Sequence, residues 1–279
     1  MISANLAQRL MVAAIAIPAI LFLVFLGGDL FLLFVLLLAA LGTYEYLAAA
    51  NIRFPSPYFL LPLLLTVTAV FLTSTTRNGL GWVCLTALFL LLGTFSVLIK
   101  DDPERLFSRL TYIVWGALYI GVLYPFVYLI RGESGWMAPA PGRWWLFFLL
   151  GSLWLGDTAA MFFGSRFGKK KLAPTISPGK TMAGFWGCFF GTVAAAILFK
   201  LFWLKDVSLV HLLVMAIVIG FVGQWGDLVE SLWKRSRGLK DSSAIIPGHG
   251  GVLDRFDSLL FAAPALYFYL KVIVRAAWL

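Results

Sequence analysis

Apolar residues run in long unbroken stretches along this chain, with neither the two-residue alternation of a half-buried strand nor the polar stripe of a surface helix. A helix needs about 20 mostly apolar residues to cross a hydrocarbon layer of about 30 Å. Such stretches fall at 9–27, 30–50, 57–75, 79–99, 107–130, 144–163, 182–204, 208–230 and 258–278, separated by short polar breaks. The pattern predicts an all-α, polytopic integral membrane protein with about nine transmembrane helices and no separate soluble domain. The start of the chain has the basic-then-apolar order of a signal peptide, Arg9 followed by Val12 to Leu26. No small-x-small cleavage pattern precedes Gly27-Gly28-Asp29, and another apolar stretch follows at once, so a first spanning helix is expected instead.

Composition agrees: of 279 residues, 61% are hydrophobic and 13% charged. A net charge of +9 would suggest nucleic acid in a soluble chain. Here the basic residues flank apolar spans, where they orient the chain and attract anionic head groups, so no nucleic-acid partner is expected. Fifteen of the 22 Lys and Arg fall before span one or after spans two, four, six and eight: Arg9, Arg53, Lys100, Arg105, Arg109, Arg166, Lys169, Lys170, Lys171, Lys180, Lys234, Arg235, Arg237, Lys240 and Arg255. That bias predicts a cytoplasmic N-terminus and an outer C-terminus. Cys84 and Cys188 lie singly in apolar runs, without metal-ligand spacing, and are read as lipid-facing or packing residues. The richest inner segments, 164–181 and 231–257, hold the candidate chemistry. The chain accordingly divides into N-terminal spans one to five (1–140) and a catalytic region of spans six to nine (141–279).

Asp227 lies near the inner end of span eight, and Asp254 and Asp257 where span nine begins. A spacing of three puts Asp254 and Asp257 on one helix face. They either cap the positive end of span nine while pairing with Arg255 or Lys234, or join Asp227 in a Mg²⁺ and phosphate site. Pro247-Gly248-His249-Gly250-Gly251 reads as a turn that exposes backbone N–H groups to a polyphosphate, with His249 as a phosphate hydrogen bond or a proton carrier. His211, in span eight on the outer side, is assigned to packing. Ser177-Pro178-Gly179-Lys180-Thr181 offers two hydroxyls, a turn and a lysine just before span seven, a grip for a nucleotide or its phosphates. It is not a Walker A loop: the spacing is wrong and no strand is expected before it. Lys169 to Lys171 form an ordinary positive-inside run, and Asp157 is either a polar contact to substrate or a packing hydrogen bond.

Ser231-Leu232-Trp233-Lys234-Arg235, Lys240-Asp241, Ser243, Pro247, His249-Gly250-Gly251 and Asp254-Arg255-Phe256-Asp257, with Asp157-Thr158-Ala159-Ala160 and the Ser177 to Thr181 stretch upstream, resemble the CDP-diacylglycerol synthases, also called phosphatidate cytidylyltransferases. The resemblance covers roughly residues 150–265; spans one to five match only in hydrophobic character. Trp233 replaces the usual aliphatic residue, and Ala183 stands where the family commonly has Glu, so no carboxylate role is assigned near Lys180. The resemblance implies the conversion of CTP and phosphatidic acid to CDP-diacylglycerol and pyrophosphate in phospholipid biosynthesis. It further implies Mg²⁺ and often K⁺, and a homodimer; the Lys and Arg bias places the site on the cytoplasmic side, and the short loops without a targeting peptide point to a bacterial inner membrane. Asp227, Asp254 and Asp257 would hold metal on the CTP phosphates. Lys234, Arg235, Lys240 and Arg255 would neutralise the phosphates, and Ser177, Lys180 and Thr181 would seat CTP. His249, Asp241, Gly250 and Gly251 complete the motif. Two other classes compete: a CTP-dependent polyprenol kinase, which would transfer the γ-phosphate, and a membrane transporter, whose acidic residues would spread along the membrane depth. CDP-alcohol phosphotransferases are set aside because their aspartate spacing is absent.

Overall fold

The computed structural model describes residues 4–76, 79–98, 101–132 and 141–274. Arg77, Lys100, Arg275 and the Arg9 side chain, used above to orient the chain, lie outside the described residues. The helices are α1 (Ala4–Leu26), α2 (Gly28–Ala49), α3 (Pro57–Thr75), α4 (Leu80–Leu98), α5 (Pro103–Gly132), α6 (Gly142–Phe167), α7 (Met182–Phe202), α8 (Leu209–Ser236) and α9 (Leu253–Tyr269). They correspond in order to the nine expected spans. By length and composition, seven of the described helices, α2 to α8, can cross a membrane, and the apolar stretch Leu10–Leu26 of α1 is shorter. The 17-residue α9 begins with a charged first turn and gives way to a π-helical turn at Leu270–Val274. The chain is thus an all-α polytopic membrane protein, with fewer described helices meeting the length and hydropathy of a full span than the nine expected.

Boundaries differ where charge misled the sequence reading. The eighth span was expected to stop at 230, but α8 continues to Ser236, because Glu230 and Lys234 are one helical turn apart and pair at 2.7 Å. The ninth was expected to start at 258; α9 starts at Leu253, taking Asp254 and Asp257 into its first turns. The segment 164–181, read as a loop without a strand, contains a two-stranded antiparallel hairpin, β1 (Lys171–Ala173) and β2 (Ser177–Thr181), with Lys171 opposite Thr181 and Ala173 opposite Ser177.

Helix α6 packs along α7, α8 along α7 and α9, and α5 runs between the halves, touching α2, α3, α4, α6 and α9. Trp145, Phe148, Ile120, Tyr124 and Phe31 lie fully buried in the shared core. Large exposed apolar side chains such as Leu33, Phe190, Met161 and Leu201 cover the outside, as a lipid-facing surface requires. In lipid, helices gain little from burying apolar area against each other and rely on close packing. Gly226 on α8 shows this: a Cβ there would stand 2.8 Å from the Asp257 carbonyl oxygen and 2.9 Å from Phe261 Cβ, so only glycine lets α8 and α9 meet at this depth. His211 and Tyr269 join at 2.9 Å between α8 and α9, in keeping with a packing role, and Cys188 is buried and free.

Candidate functional site

The same end of the bundle collects the C-terminal turns of α2, α6 and α8 and the N-terminal turns of α5, α7 and α9, together with the hairpin and the 237–252 segment. Hairpin placement follows from a few bonds. Thr181 is the N-cap of α7, its Oγ1 accepting the Gly184 N–H at 3.1 Å. Lys180 meets Asp227 of α8 at 2.8 Å and the Gln224 carbonyl at 3.4 Å. Arg235 donates to the Ile176 carbonyl at 3.2 Å and to the Leu239 carbonyl at 2.8 Å, tying α8 to the hairpin bend. The first turn of α7 carries no acid, consistent with Ala183 at that position.

On the other side of α8, Lys234 is 8% exposed and sits between Glu230 and Asp254, at 2.7 and 2.6 Å. The Glu230 contact is an ion pair by distance only, since neither Glu230 carboxylate oxygen makes a hydrogen bond of acceptable geometry. Asp254 is engaged at both oxygens: Oδ1 takes Lys234, while Oδ2 accepts the Ser242 N–H (2.9 Å) and the Gly251 N–H (2.7 Å) and shares the single Ser242 hydroxyl proton (Oγ at 3.1 Å) with Glu45. Asp257, about 60° further round α9 than Asp254, faces a different set of charges, with Asp227, Asp157 and Lys180 acting on it. Its Oδ1 accepts the Ser258 N–H at 2.5 Å. Among the described residues, no three His, Cys, Asp or Glu converge closely enough to hold a metal by themselves. The arrangement instead offers Asp227 and Asp257 on the wall of one cavity, and Asp254 paired with Lys234.

Three adjoining cavities connect these groups. One of about 480 Å³ is lined by Asp157, Asp227, Lys234, Asp241, His249, Asp254, Arg255 and Asp257, and on its far wall by Val12, Ala13, Ala16, Ile17 and Ile20 of α1. A second, of about 560 Å³, lies between α6, α7, α8 and the hairpin, against Lys171, Gly179, Lys180, Thr181 and Gln224; it shares Asp157, Asp227 and Ser258 with the first. A third, of about 500 Å³, is bounded by Lys240, Asp241, Ser243, Gly248, His249, Gly250 and Arg255 and meets the first at Asp241, His249 and Arg255. His249 Nδ1 is buried and has no hydrogen-bond partner among the described residues, while the residue borders both the first and the third cavity. Of the residues singled out from sequence, Ser177 pairs in the hairpin and lines none of the three cavities, and Gly251 is buried against Ser242. Asp157, left open between two roles, is an exposed side chain where the first two cavities meet.

Glu45 was missed. It is fully buried in α2, yet it accepts from the hydroxyls of Ser242 (3.1 Å) and Ser243 (2.6 Å) and from the backbone N–H groups of Val252 (2.8 Å) and Leu253 (2.9 Å). The signal in the sequence was a lone acid inside an apolar span, rare in a membrane helix unless it has partners. Trp233 now also has a physical setting. Its ring stacks on Tyr46 at 4.8 Å, and its Nε1–H donates to the Tyr112 hydroxyl at 2.7 Å. Tyr112 in turn stacks on Tyr46 at 4.4 Å and carries the Arg237 guanidinium over its other side at 4.0 Å.

Acidic and basic side chains gathered at one end of a helical membrane bundle, opening on one side to an apolar helix wall, define a membrane-embedded enzyme for phosphate-bearing substrates. Residues 7–273 match the cytidylyltransferase family. The chain belongs to that family and is a nucleotidyltransferase. It is similar to the phosphatidate cytidylyltransferase of Bacillus subtilis strain 168, 34% identical over 273 residues, covering 96% of this chain and 98% of the relative. That of Staphylococcus epidermidis strain RP62A is 34% identical over 264 residues, 92% of this chain and 96% of the relative. That of Staphylococcus aureus strain COL is 32% identical over 264 residues, with the same shares covered.

Proposed function

We propose that the chain is a phosphatidate cytidylyltransferase that joins CTP to phosphatidic acid, releasing pyrophosphate, at the cytoplasmic face of a bacterial inner membrane. The observation that carries this reading is the junction of two unlike cavities at Asp157 and Asp227: one runs to an apolar wall on α1, the other into the basic hairpin. A lipid phosphate with its tails along α1 and a nucleotide over the hairpin would meet there. The relatives' shared name states the same pair of substrate groups.

In this reading Lys180, Lys171 and Thr181 line the CTP cavity. Arg255 and Lys240 border the third cavity and neutralise phosphate charge, and His249 lies on the same cavity wall, within reach of a phosphate bound there. The phosphatidate oxygen attacks the α-phosphorus and pyrophosphate leaves, so no protein nucleophile is needed. The donor set fits a divalent cation held by one or two carboxylates with substrate oxygens completing its shell. Asp227 and Asp257 would hold it, whereas Asp254, whose oxygens are taken by Lys234, Ser242 and Gly251, braces the site. When bound, Mg²⁺ would supply charge neutralisation on the attacking and leaving oxygens.

The test is Mg²⁺-dependent conversion of α-labelled CTP to chloroform-soluble lipid, with phosphatidic acid present or omitted, for the wild type and Asp257→Ala. Label in lipid only with phosphatidic acid, and lost in the variant, supports the reading. Lipid labelled from γ-labelled CTP would replace it with a kinase, and no labelling by folded protein would bring forward a transporter.

A further inference from the structure

We infer that Glu45, a residue of the N-terminal half outside the motif-bearing region, is the positioning residue that fixes the start of α9 and the 242–253 segment against the site. The inference rests on the proposed transferase reading for its kinetic arm only. Its structural arm stands on contacts of the chain itself.

Helix α9 carries Asp254, Arg255 and Asp257 in its first turns, and its own N-cap residue, Val252, offers no side-chain cap. The first N–H groups of any helix lack intrahelical acceptors and need others, the more so where water is scarce. Here they are met from two sides. Asp254 Oδ2 takes the Gly251 N–H, and Glu45 of α2 takes the next two: Oε1 accepts Val252 N–H and Oε2 accepts Leu253 N–H. Each Glu45 oxygen also receives one serine hydroxyl, Ser243 on Oε1 and Ser242 on Oε2. The Ser242 Oγ lies 3.1 Å from both Glu45 Oε2 and Asp254 Oδ2, so its one proton is shared between the two carboxylates, and Asp254 holds Lys234. Glu45 is therefore a cap supplied in trans, more than 200 residues away in sequence, and the hub of a chain running to α8.

Space and chemistry both point to this residue. A Cβ on Gly251 would lie 1.9 Å from Ser242 Oγ and 2.7 Å from Glu45 Oε2, so this position is glycine because the carboxylate and the serine fill the place of a side chain. A carboxylate is also the group the geometry requires. Each of its two oxygens faces one backbone N–H, and a backbone N–H can only donate. The isosteric Gln has one oxygen; whichever way its amide turns, an NH₂ faces either Val252 N–H or Leu253 N–H, donor against donor. Serine hydroxyls can rotate to suit, but these two amides cannot. The shape-preserving substitution is thus expected to fail almost as badly as truncation, an outcome that simple packing by Glu45 would not give.

The experiment compares wild type, Glu45→Gln, Glu45→Ala and Ser243→Ala in detergent or nanodiscs. Two readouts are taken: backbone hydrogen exchange over the peptides covering 242–253, and kcat and KM per folded molecule. For Glu45→Gln we expect exchange at 250–253 at least tenfold faster, with α3 and α4 as protected as in the wild type. Its kcat should fall at least tenfold, with KM for CTP changed less than threefold, because Glu45 touches no substrate. Ser243→Ala keeps the cap but removes one hydroxyl, which also accepts the Ile245 N–H at 3.1 Å, and should cost two- to fivefold in kcat. Should Glu45→Gln not fold, Ser243→Ala decides through exchange at 252–253, which is expected to quicken only if the carboxylate that Ser243 helps to hold caps those two amides. Unchanged protection at 250–253 in folded Glu45→Gln, or wild-type kcat there, overturns the inference, as does unchanged exchange at 252–253 in Ser243→Ala if that variant must decide. Were the wild type to transfer no cytidylyl group, the exchange arm would still judge Glu45 while the functional reading fell.

Discussion

Lys234 gives the sharpest energetic prediction. Its ammonium lies 2.7 Å from Glu230 and 2.6 Å from Asp254, with side chains only 10%, 0% and 3% exposed, so solvent screens neither pair. Replacing it by Met preserves the length of the chain and removes the charge, leaving two buried carboxylates. Breaking a buried pair by removing one partner costs about 3–5 kcal/mol, because the other charge remains uncompensated. The two survivors are not equally placed. Asp254 retains two backbone hydrogen bonds at Oδ2 and a share of the Ser242 hydroxyl, whereas both Glu230 oxygens already lack a hydrogen-bond donor. The cost therefore falls mainly on Glu230, and adding Glu230→Gln to Lys234→Met should recover roughly 1–3 kcal/mol by removing that charge. The assay is unfolding of purified protein in mixed micelles by titration with sodium dodecyl sulfate, read by tryptophan fluorescence, for the four members of the cycle. A Lys234→Met loss below about 1 kcal/mol, or no recovery in the double variant, would refute the argument that Lys234 is held in place by its carboxylates.

Other consequences are checked more simply. Asp227→Asn should lower kcat at least a hundredfold and loosen the hairpin, since Lys180 loses its 2.8 Å ion pair; labelled CTP turnover and proteolysis within 171–181 read the two effects. Trp233→Leu, which restores the aliphatic residue usual in the resembling family, should cost about 1–3 kcal/mol of stability by losing the stack on Tyr46 and the bond to Tyr112, measured by the same unfolding titration. Ala16→Phe on the α1 wall should reduce turnover of long-chain phosphatidate more than that of a dihexanoyl analogue, and equal losses for both would remove α1 from the lipid path. Chelation of divalent metal should abolish turnover, with restoration by Mg²⁺ the expected result.

Much of this molecule is written in its hydrophobicity, because a membrane leaves a chain few options: backbone polar groups must be satisfied within each segment, so each long apolar run becomes a helix. The nine stretches map onto α1 to α9 for that reason, and errors arose where charge interrupted them. Glu230 and Lys234 look like an exit from the membrane in a hydropathy profile, but at a spacing of four they neutralise one another and the helix continues. The hairpin at 171–181 escaped detection because strands this short carry no alternation to read, and because its placement depends on Lys180 and Arg235 reaching α8. The motif residues were legible as a set and their pairing in part: Lys234 was one of the two partners open to Asp254, whereas the Lys180–Asp227 pair was not foreseen. A spacing of three on a helix brings Asp254 and Asp257 to neighbouring positions, but the 60° between them is enough to send one to Lys234 and the other toward Asp227. Glu45 marks the limit of sequence reasoning from local pattern. An acid well inside an apolar helix announces that a partner exists, but the partners are two serines and two amides some 200 positions later, and only packing of α2 against the rest of the bundle brings them within 3.1 Å. The first half of the chain, which matches the family's sequence pattern only in hydrophobic character, thereby supplies the cap for the helix on which the motif ends.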